Sequence, residues 1–241
     1  MGHFSEPGPV LVGLFDTALK RVMASSIIVI NPNSNEAVTA GIDTALAPLR
    51  MAGGPEIRCL TLKEGPPGIQ SQYDVESVTL PLARLAKTLE SDAGAFVIAC
   101  FSDPGLHVVR EAVKRPVLGI AECGVLTALT MGHRFGVIAI LKASIVRHHR
   151  IWGAMGVTDR LAGERSIDMG VAELADRERT LGRMIEVGTK LRDDDGANTI
   201  VMGCAGMAPL RAQLQEALGI PVVEPTQAAV TMAIGRVRLG W

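Results

Sequence analysis

Runs of apolar, largely β-branched residues recur along the chain, separated by mixed segments with a helical period. Ile27-Ile28-Val29-Ile30 contains no polar side chain, the mark of a strand buried on both faces. It runs into Asn31-Pro32-Asn33-Ser34-Asn35, a turn of helix-capping residue types, and predicts a helix from Glu36 to Arg50. The same alternation predicts a strand at Ile57 to Leu62, a long loop at Gly65-Pro66-Pro67-Gly68 and a helix from Val75 to Glu90. A strand at Ala95 to Ala99, a helix after Pro104, a strand at Val117 to Gly119 and a helix from Gly124 to Met131 come next. Then come a strand at Phe135 to Ile140, helices at Ser144 to Met155 and Val171 to Arg192, and a strand at Thr199 to Met202. A helix after Pro209, a short strand at Val222-Val223 and a helix from Thr226 to Arg238 end the chain. Strands alternating with helices at this spacing predict an α/β fold, with parallel sheets covered by helices on both faces. Residues 1–25 are Gly/Pro-punctuated and lack a period. They are expected to be an extension outside the core, with a short helix from Phe15 to Met23 and a second possible start at Met23.

An internal echo divides the pattern. After Cys100 the chain passes through a helix to Pro116-Val117-Leu118; after Cys204 it passes through a helix to Pro221-Val222-Val223, at intervals of 16 and 17 residues. Two duplicated halves would bring two sheet ends, and two cysteines, around one crevice. The expected division is residues 26–120 plus 226–241 as a first domain carrying Cys100, and 121–225 as a second carrying Cys204.

Composition narrows the function. The chain has 241 residues, with 24 Lys and Arg against 25 Asp and Glu. That balance speaks against a nucleic-acid or anionic-membrane partner, which selects a basic excess. Aromatic residues are only 3%, too few for base-stacking platforms. No apolar run reaches the roughly 18–20 residues of a membrane span. Four scattered cysteines, with no C-x-x-C pair, do not suit a disulfide framework or a zinc ribbon and point to a reducing, cytoplasmic setting. No Gly-rich phosphate loop follows the first strand, so no nucleotide cofactor is expected, and no metal site is expected either.

Two of the cysteines carry the candidate chemistry. Cys100 and Cys204 each sit at the carboxyl end of a predicted parallel strand, just before a helix, which is where open α/β sheets place ligands. Asp103-Pro104 suits the N-cap and first position of the helix after Cys100. A free thiol has a pKa of about 8.5, so a few per cent is thiolate at neutral pH. A helix dipole moves that value by well under a unit, and N–H bonds to sulfur move it further. Two such groups on opposite faces of one carbon can remove a proton and return one to the far side, inverting the centre. Cys59 and Cys123 read as small hydrophobes in packed elements. Arg147-His148-His149-Arg150 reads as a solvated or interface cluster, and adjacent His rings on a helix make a poor chelating pair. Glu122 reads as a helix cap.

The motifs Ile28-Val29-Ile30-Asn31-Pro32-Asn33-Ser34, Gly65-Pro66 leading to Ile69-Gln70-Ser71 and Tyr73-Asp74, Cys100 to Gly105, and Gly203-Cys204-Ala205-Gly206-Met207 occur in that order. Together they resemble the hydantoin racemase family, within the aspartate/glutamate racemase superfamily, from Ile27 to the C-terminus. The resemblance implies two pseudo-symmetric open parallel-sheet, flavodoxin-like domains with a cofactor-free site between them, usually in a homo-oligomer. It implies that Cys100 and Cys204 act as two bases on a small-molecule substrate, a 5-substituted hydantoin or allantoin. Asn33, Ser34, Ile69, Gln70 and Ser71 would line the pocket, and the N–H groups of Phe101, Ser102, Ala205 and Gly206 would hold ring carbonyls and the enolate oxygen. Gln70 departs from the Glu usual in this loop, which bears on substrate choice. The residues after the cysteines are poorer in polar side chains than in amino-acid racemases, and Cys100 speaks against an arylmalonate decarboxylase. Other reactions of the scaffold, maleate-type isomerisation or amino-acid racemisation, and a non-catalytic ligand-binding or redox-sensing role remain as alternatives.

Overall fold

The computed structural model describes residues 26–241; the predicted N-terminal helix lies outside them. Seventeen elements matter for the site. The first half contains β1 (Ser26–Asn31), α1 (Glu36–Ala45), β2 (Ile57–Thr61), α2 (Gln72–Ser77), α3 (Thr79–Leu89), β3 (Ala93–Ile98), α4 (Leu106–Ala112) and β4 (Val117–Gly119). The remainder contains α5 (Ile120–Met131), β5 (Phe135–Ala139), α6 (Lys142–Met155), β6 (Leu161–Ser166), α7 (Arg177–Asp193), β7 (Thr199–Met202), α8 (Arg211–Leu218), β8 (Val222–Val223) and the last helix, α9 (Pro225–Leu239).

The strands form two four-stranded parallel sheets of identical order, β2-β1-β3-β4 and β6-β5-β7-β8. The echo in the sequence is thus a repeat of topology, and it extends to single hydrogen bonds. Phe96 N–H donates to the Pro116 carbonyl at 2.8 Å, and Ile200 N–H to the Pro221 carbonyl at 2.9 Å. Ala99 N–H meets the Ile30 carbonyl, and Gly203 N–H the Ile138 carbonyl, both at 2.8 Å.

Alternate residues of the central strands divide between three buried clusters, as the two-residue period of a strand requires. Ile28, Ile30, Phe96 and Ile98 face an outer cluster of the first sheet. Ile138, Ile200 and Met202 face an outer cluster of the second. Ile27, Val29, Ala95 and Val97 of the first sheet join Phe135, Val137, Val201 and Val223 of the second in one central cluster, filled out by α5, α9 and Trp152. The last helix, α9, packs against β1, β3 and α5.

Caps set the helix starts. Asn35 accepts from Ala37 N–H, and Ser71 and Asp74 form a reciprocal capping box at α2, as these residue types favour. The predicted helix over 75–90 is two helices meeting at Val78. The predicted helix over 171–192 starts instead at Arg177, because Asp176 accepts from Arg179 N–H and caps it there; residues 171–175 form a separate 3-10 turn. Strand β6 was not predicted. No helix among the described residues is long and apolar enough to cross a membrane.

Candidate active site

In each sheet the second strand in sequence lies on one side of the first and the third on the other, so the chain reverses direction between β1 and β3, and again between β5 and β7. Ligands bind at such switch points, outside the carboxyl ends of the strands. Both switch points open onto one cleft of about 460 Å³ empty volume. The first half lines it with Asn33, Val38, Ile69 and Ala99 to Ser102, the second with Ile140, Ser144, Arg147, His148, Val171 and Gly203 to Gly206.

Cys100 and Cys204 therefore share a cleft, each one residue past a strand-end amide bond to the neighbouring strand. The turns that follow also match. The Cys100 carbonyl accepts from Asp103 N–H at 3.0 Å, and the Cys204 carbonyl from Met207 N–H at 3.1 Å. Each turn folds the amide two residues on back to its own thiol: Ser102 N–H to Cys100, Gly206 N–H to Cys204. Gly206 leaves space there, since a Cβ would stand 3.1 Å from Leu174 and 3.6 Å from the Cys204 sulfur.

Burial pushes the Cys100 thiol up to about 12; the Ser102 N–H pulls it down, the charges of Cys204 and Asp103 push it up and Arg147 opposes them. Burial pushes Cys204 up to about 11, against the Gly206 N–H and with Glu224 adding to the rise. Both are thiols at neutral pH, and either thiolate raises the cost of the other, so a one-thiolate, one-thiol state is favoured over two thiolates.

Of the other residues singled out in the sequence, Asn33, Ile69, Phe101, Ser102, Ala205 and Gly206 line the cleft. The Asn33 Oδ1 accepts from Asn31 Nδ2 and from Asn35 N–H, which fixes the amide plane. Ser34, Gln70 and Ser71 are not among the lining residues. Ser34 N–H donates to the Pro66 carbonyl, Ser71 caps α2, and the Gln70 side chain lies against Gly68 and Gly170. Cys59 and Cys123 also lie away from the cleft, and burial raises both.

Two further expectations are corrected. Asp103 does not cap α4, whose start is set by Gly105 in the left-handed region at φ 65°. Its carboxylate instead accepts from Ala121 and Glu122 N–H at the head of α5, at 2.8 and 2.9 Å. Glu122 does cap, closing on Gly119 N–H and pairing with Arg110. Arg147 and His148 are not solvated: they are 8% and 2% exposed and line the cleft. Helix α6 buries Ser144, Arg147, His148 and Trp152, a stripe at helical spacing that the adjacent charges had hidden.

Behind His148 lies a fully buried carboxylate. Glu164, on β6, pairs through Oε1 with His148 Nδ1 and accepts from Trp152 Nε1 through Oε2 at 3.2 Å. The His148 ring also meets Phe101 edge-on, with centroids 5.2 Å apart.

A family model for the Asp/Glu/hydantoin racemases matches residues 27–233. The chain belongs to that family. It is 34% identical to the hydantoin racemase of Paenarthrobacter aurescens over 218 residues, 89% of this chain and 92% of that one. The allantoin racemase from Klebsiella pneumoniae superposes with a TM-score of 0.83 at 32% identity, over 90% of this chain and 89% of that one. The allantoin racemase from Pseudomonas fluorescens superposes with a TM-score of 0.85 at 27% identity, over 89% and 92%. The two-sheet architecture is thus the family's own.

Proposed function

We propose that the protein is a cofactor-independent racemase of 5-substituted hydantoins or allantoin, with Cys100 and Cys204 as its two bases. The observation that carries this reading is the pair of thiols at equivalent strand ends on one cleft, each served by the amide two residues on. The hydantoin and allantoin racemases among its relatives supply the substrate class.

The C5–H of a hydantoin is flanked by a carbonyl, so its removal leaves an enolate. One cysteine, as thiolate, takes that proton. The other, as thiol, delivers its own proton to the opposite face, and the two sulfurs exchange roles for the other enantiomer. Proton transfer by a positioned base is worth about 10²–10⁴-fold. Amide donors aimed at the enolate oxygen add about 3–4 kcal/mol each, and the N–H groups of Phe101 and Ala205 are the candidates, because those of Ser102 and Gly206 serve sulfur. Sulfur does both proton transfers, so the reaction asks for no cofactor.

The test is deuterium exchange at C5 in D₂O, with polarimetry, on Cys100→Ser and Cys204→Ser. Each variant is expected to lose racemisation yet wash deuterium into one enantiomer only, the opposite one in each case. Full racemisation by both variants ends the reading. Sedimentation of the intact protein tests the homo-oligomer.

A further inference from the structure

Helix α6 places Arg147 on the cleft wall, where it is neither one of the two sulfurs nor one of the amides that serve them. Its Nη1 donates to the Ala143 carbonyl at 3.0 Å and its Nη2 to Ser144 Oγ at 3.1 Å, both neutral oxygens. Its Nε is shut off from solvent without any partner. No carboxylate is among the described residues that line the cleft. A buried charge is costly unless an opposite charge or a full set of hydrogen bonds meets it, and a buried donor left unmade carries its whole desolvation cost. Burial accordingly lowers the Arg147 pKa, the Cys100 charge raises it, Arg150 lowers it, and Asp74, outside the cleft lining, raises it. The site has a cation and a buried Nε without a partner, and Asp74, the carboxylate that acts on it, spends its hydrogen bonds on Gln70 and Ser71 N–H instead.

The wall beside it is held by side-chain contacts. His148 is held through Nδ1 by Glu164, which also takes the Trp152 indole, and its ring is braced edge-on by Phe101. Nε2, on the far edge of that ring, is turned away from Glu164. Arg147 and His148 are neighbours on the lining, so a group entering there meets two nitrogen-bearing side chains and no acid.

We propose that Arg147, backed by the His148–Glu164 pair, is a specificity site for the substituent on C5 of the ring, and that it takes an anionic oxygen, a carboxylate on a short side chain. The proposal rests on the racemase reading for its substrate. It goes beyond it by naming the substituent: a small acidic group, preferred to an apolar group of the same size. A ureido oxygen, neutral but a good acceptor, ranks between the two.

The test compares 5-carboxymethylhydantoin with 5-isobutylhydantoin, two substituents of equal heavy-atom count, with allantoin as the intermediate. Racemisation kcat/KM and calorimetric binding are measured on the full-length wild type, Arg147→Met and Arg147→Lys. The wild type is expected to favour the carboxymethyl compound. Arg147→Met is expected to lose about 10–100-fold more on that compound than on the isobutyl one, the range for a charged hydrogen bond, and Arg147→Lys to keep part of the preference. An equal loss on both compounds would mean that Arg147 serves the thiolate or the fold and overturns the proposal, as would a wild-type preference for isobutyl. Turnover of all three without preference sinks the specificity site and leaves the racemase standing. Arg147-dependent binding of the carboxymethyl compound without turnover sinks the racemase and leaves the specificity site. Neither binding nor turnover sinks both.

Discussion

The carboxylate of Asp103 stands where a side chain on Gly119 would be: a Cβ at Gly119 would lie 2.2 Å from Asp103 Cγ. Through that gap the loop carrying Cys100 reaches the head of α5 and binds its first amides. The other half solves the same problem locally. Glu224 precedes α9 directly and accepts from Thr226 and Gln227 N–H at 3.0 and 2.6 Å. Each half thus anchors a carboxylate to a helix start, one borrowed from the loop that carries Cys100 and one directly preceding its helix.

Gly119→Ala is therefore expected to displace Asp103 and lose its cap. Overpacking costs about 1–3 kcal/mol, and loss of a cap about 1 more. Urea unfolding checks this; a change under about 0.5 kcal/mol, the ordinary surface range, would show that the carboxylate has somewhere else to go.

The same carboxylate makes stability depend on pH. Burial raises Asp103 from 3.8 to about 7, opposed by the Ala121 and Glu122 amides. The folded protein then holds this proton more tightly than the unfolded chain, so the contribution is full below pH 4 and is lost as pH rises through 7. Relative to Asp103→Asn, the wild type should lose stability across that window and level off above it. Urea midpoints at unit pH steps measure the difference; a flat difference would contradict the shift.

The thiols give a second pH signature. With Cys100 at about 12 and Cys204 at about 11, the thiolate fraction of each climbs tenfold per pH unit through the neutral range. Iodoacetamide labelling of both, followed peptide by peptide, and kcat/KM for racemisation should rise without a plateau from about pH 7 to 9, since the unperturbed thiol value is about 8.5. A plateau below pH 8 would mean that a nearby donor lowers one sulfur far more than Ser102 or Gly206 does.

Glu164 holds two donors in a dry place. Glu164→Leu would strand His148 Nδ1 and Trp152 Nε1, each costing about 1–3 kcal/mol. Glu164→Gln keeps one acceptor and should cost less. Thermal unfolding of the two variants, with a Trp152→Phe double-mutant cycle, checks the order. Equal stability of the Leu variant and the wild type would show that the network contributes nothing.

The sequence carried the sheets because their strands are buried on both faces: Ile27–Ile30, Phe96–Ile98 and Ile200–Met202 read as unbroken apolar runs. It carried the cysteines because strand end, turn and helix follow one another twice. It did not show β6, an edge strand reading Leu-Ala-Gly-Glu-Arg-Ser and half-buried throughout. Missing β6 also hid Glu164, and without Glu164 nothing in Arg147-His148-His149-Arg150 distinguished a buried pair from a solvated face. The signal that was available is the spacing of Ser144, Arg147, His148 and Trp152, with the tryptophan marking the inward side. Asp103 misled for a different reason: Asp-Pro is a good local cap, but Gly105 delays the helix and the carboxylate finds stronger partners 18 and 19 residues away.

The central cluster of buried side chains belongs to both sheets at once, from Ile27 and Val29 to Val137 and Val201. The two halves therefore cannot swing apart like jaws without tearing open hydrocarbon. That shared filling ties the strand ends carrying the two sulfurs to each other. Trimming a residue such as Val137 or Val201, far from any substrate, would retune the reach of the two bases.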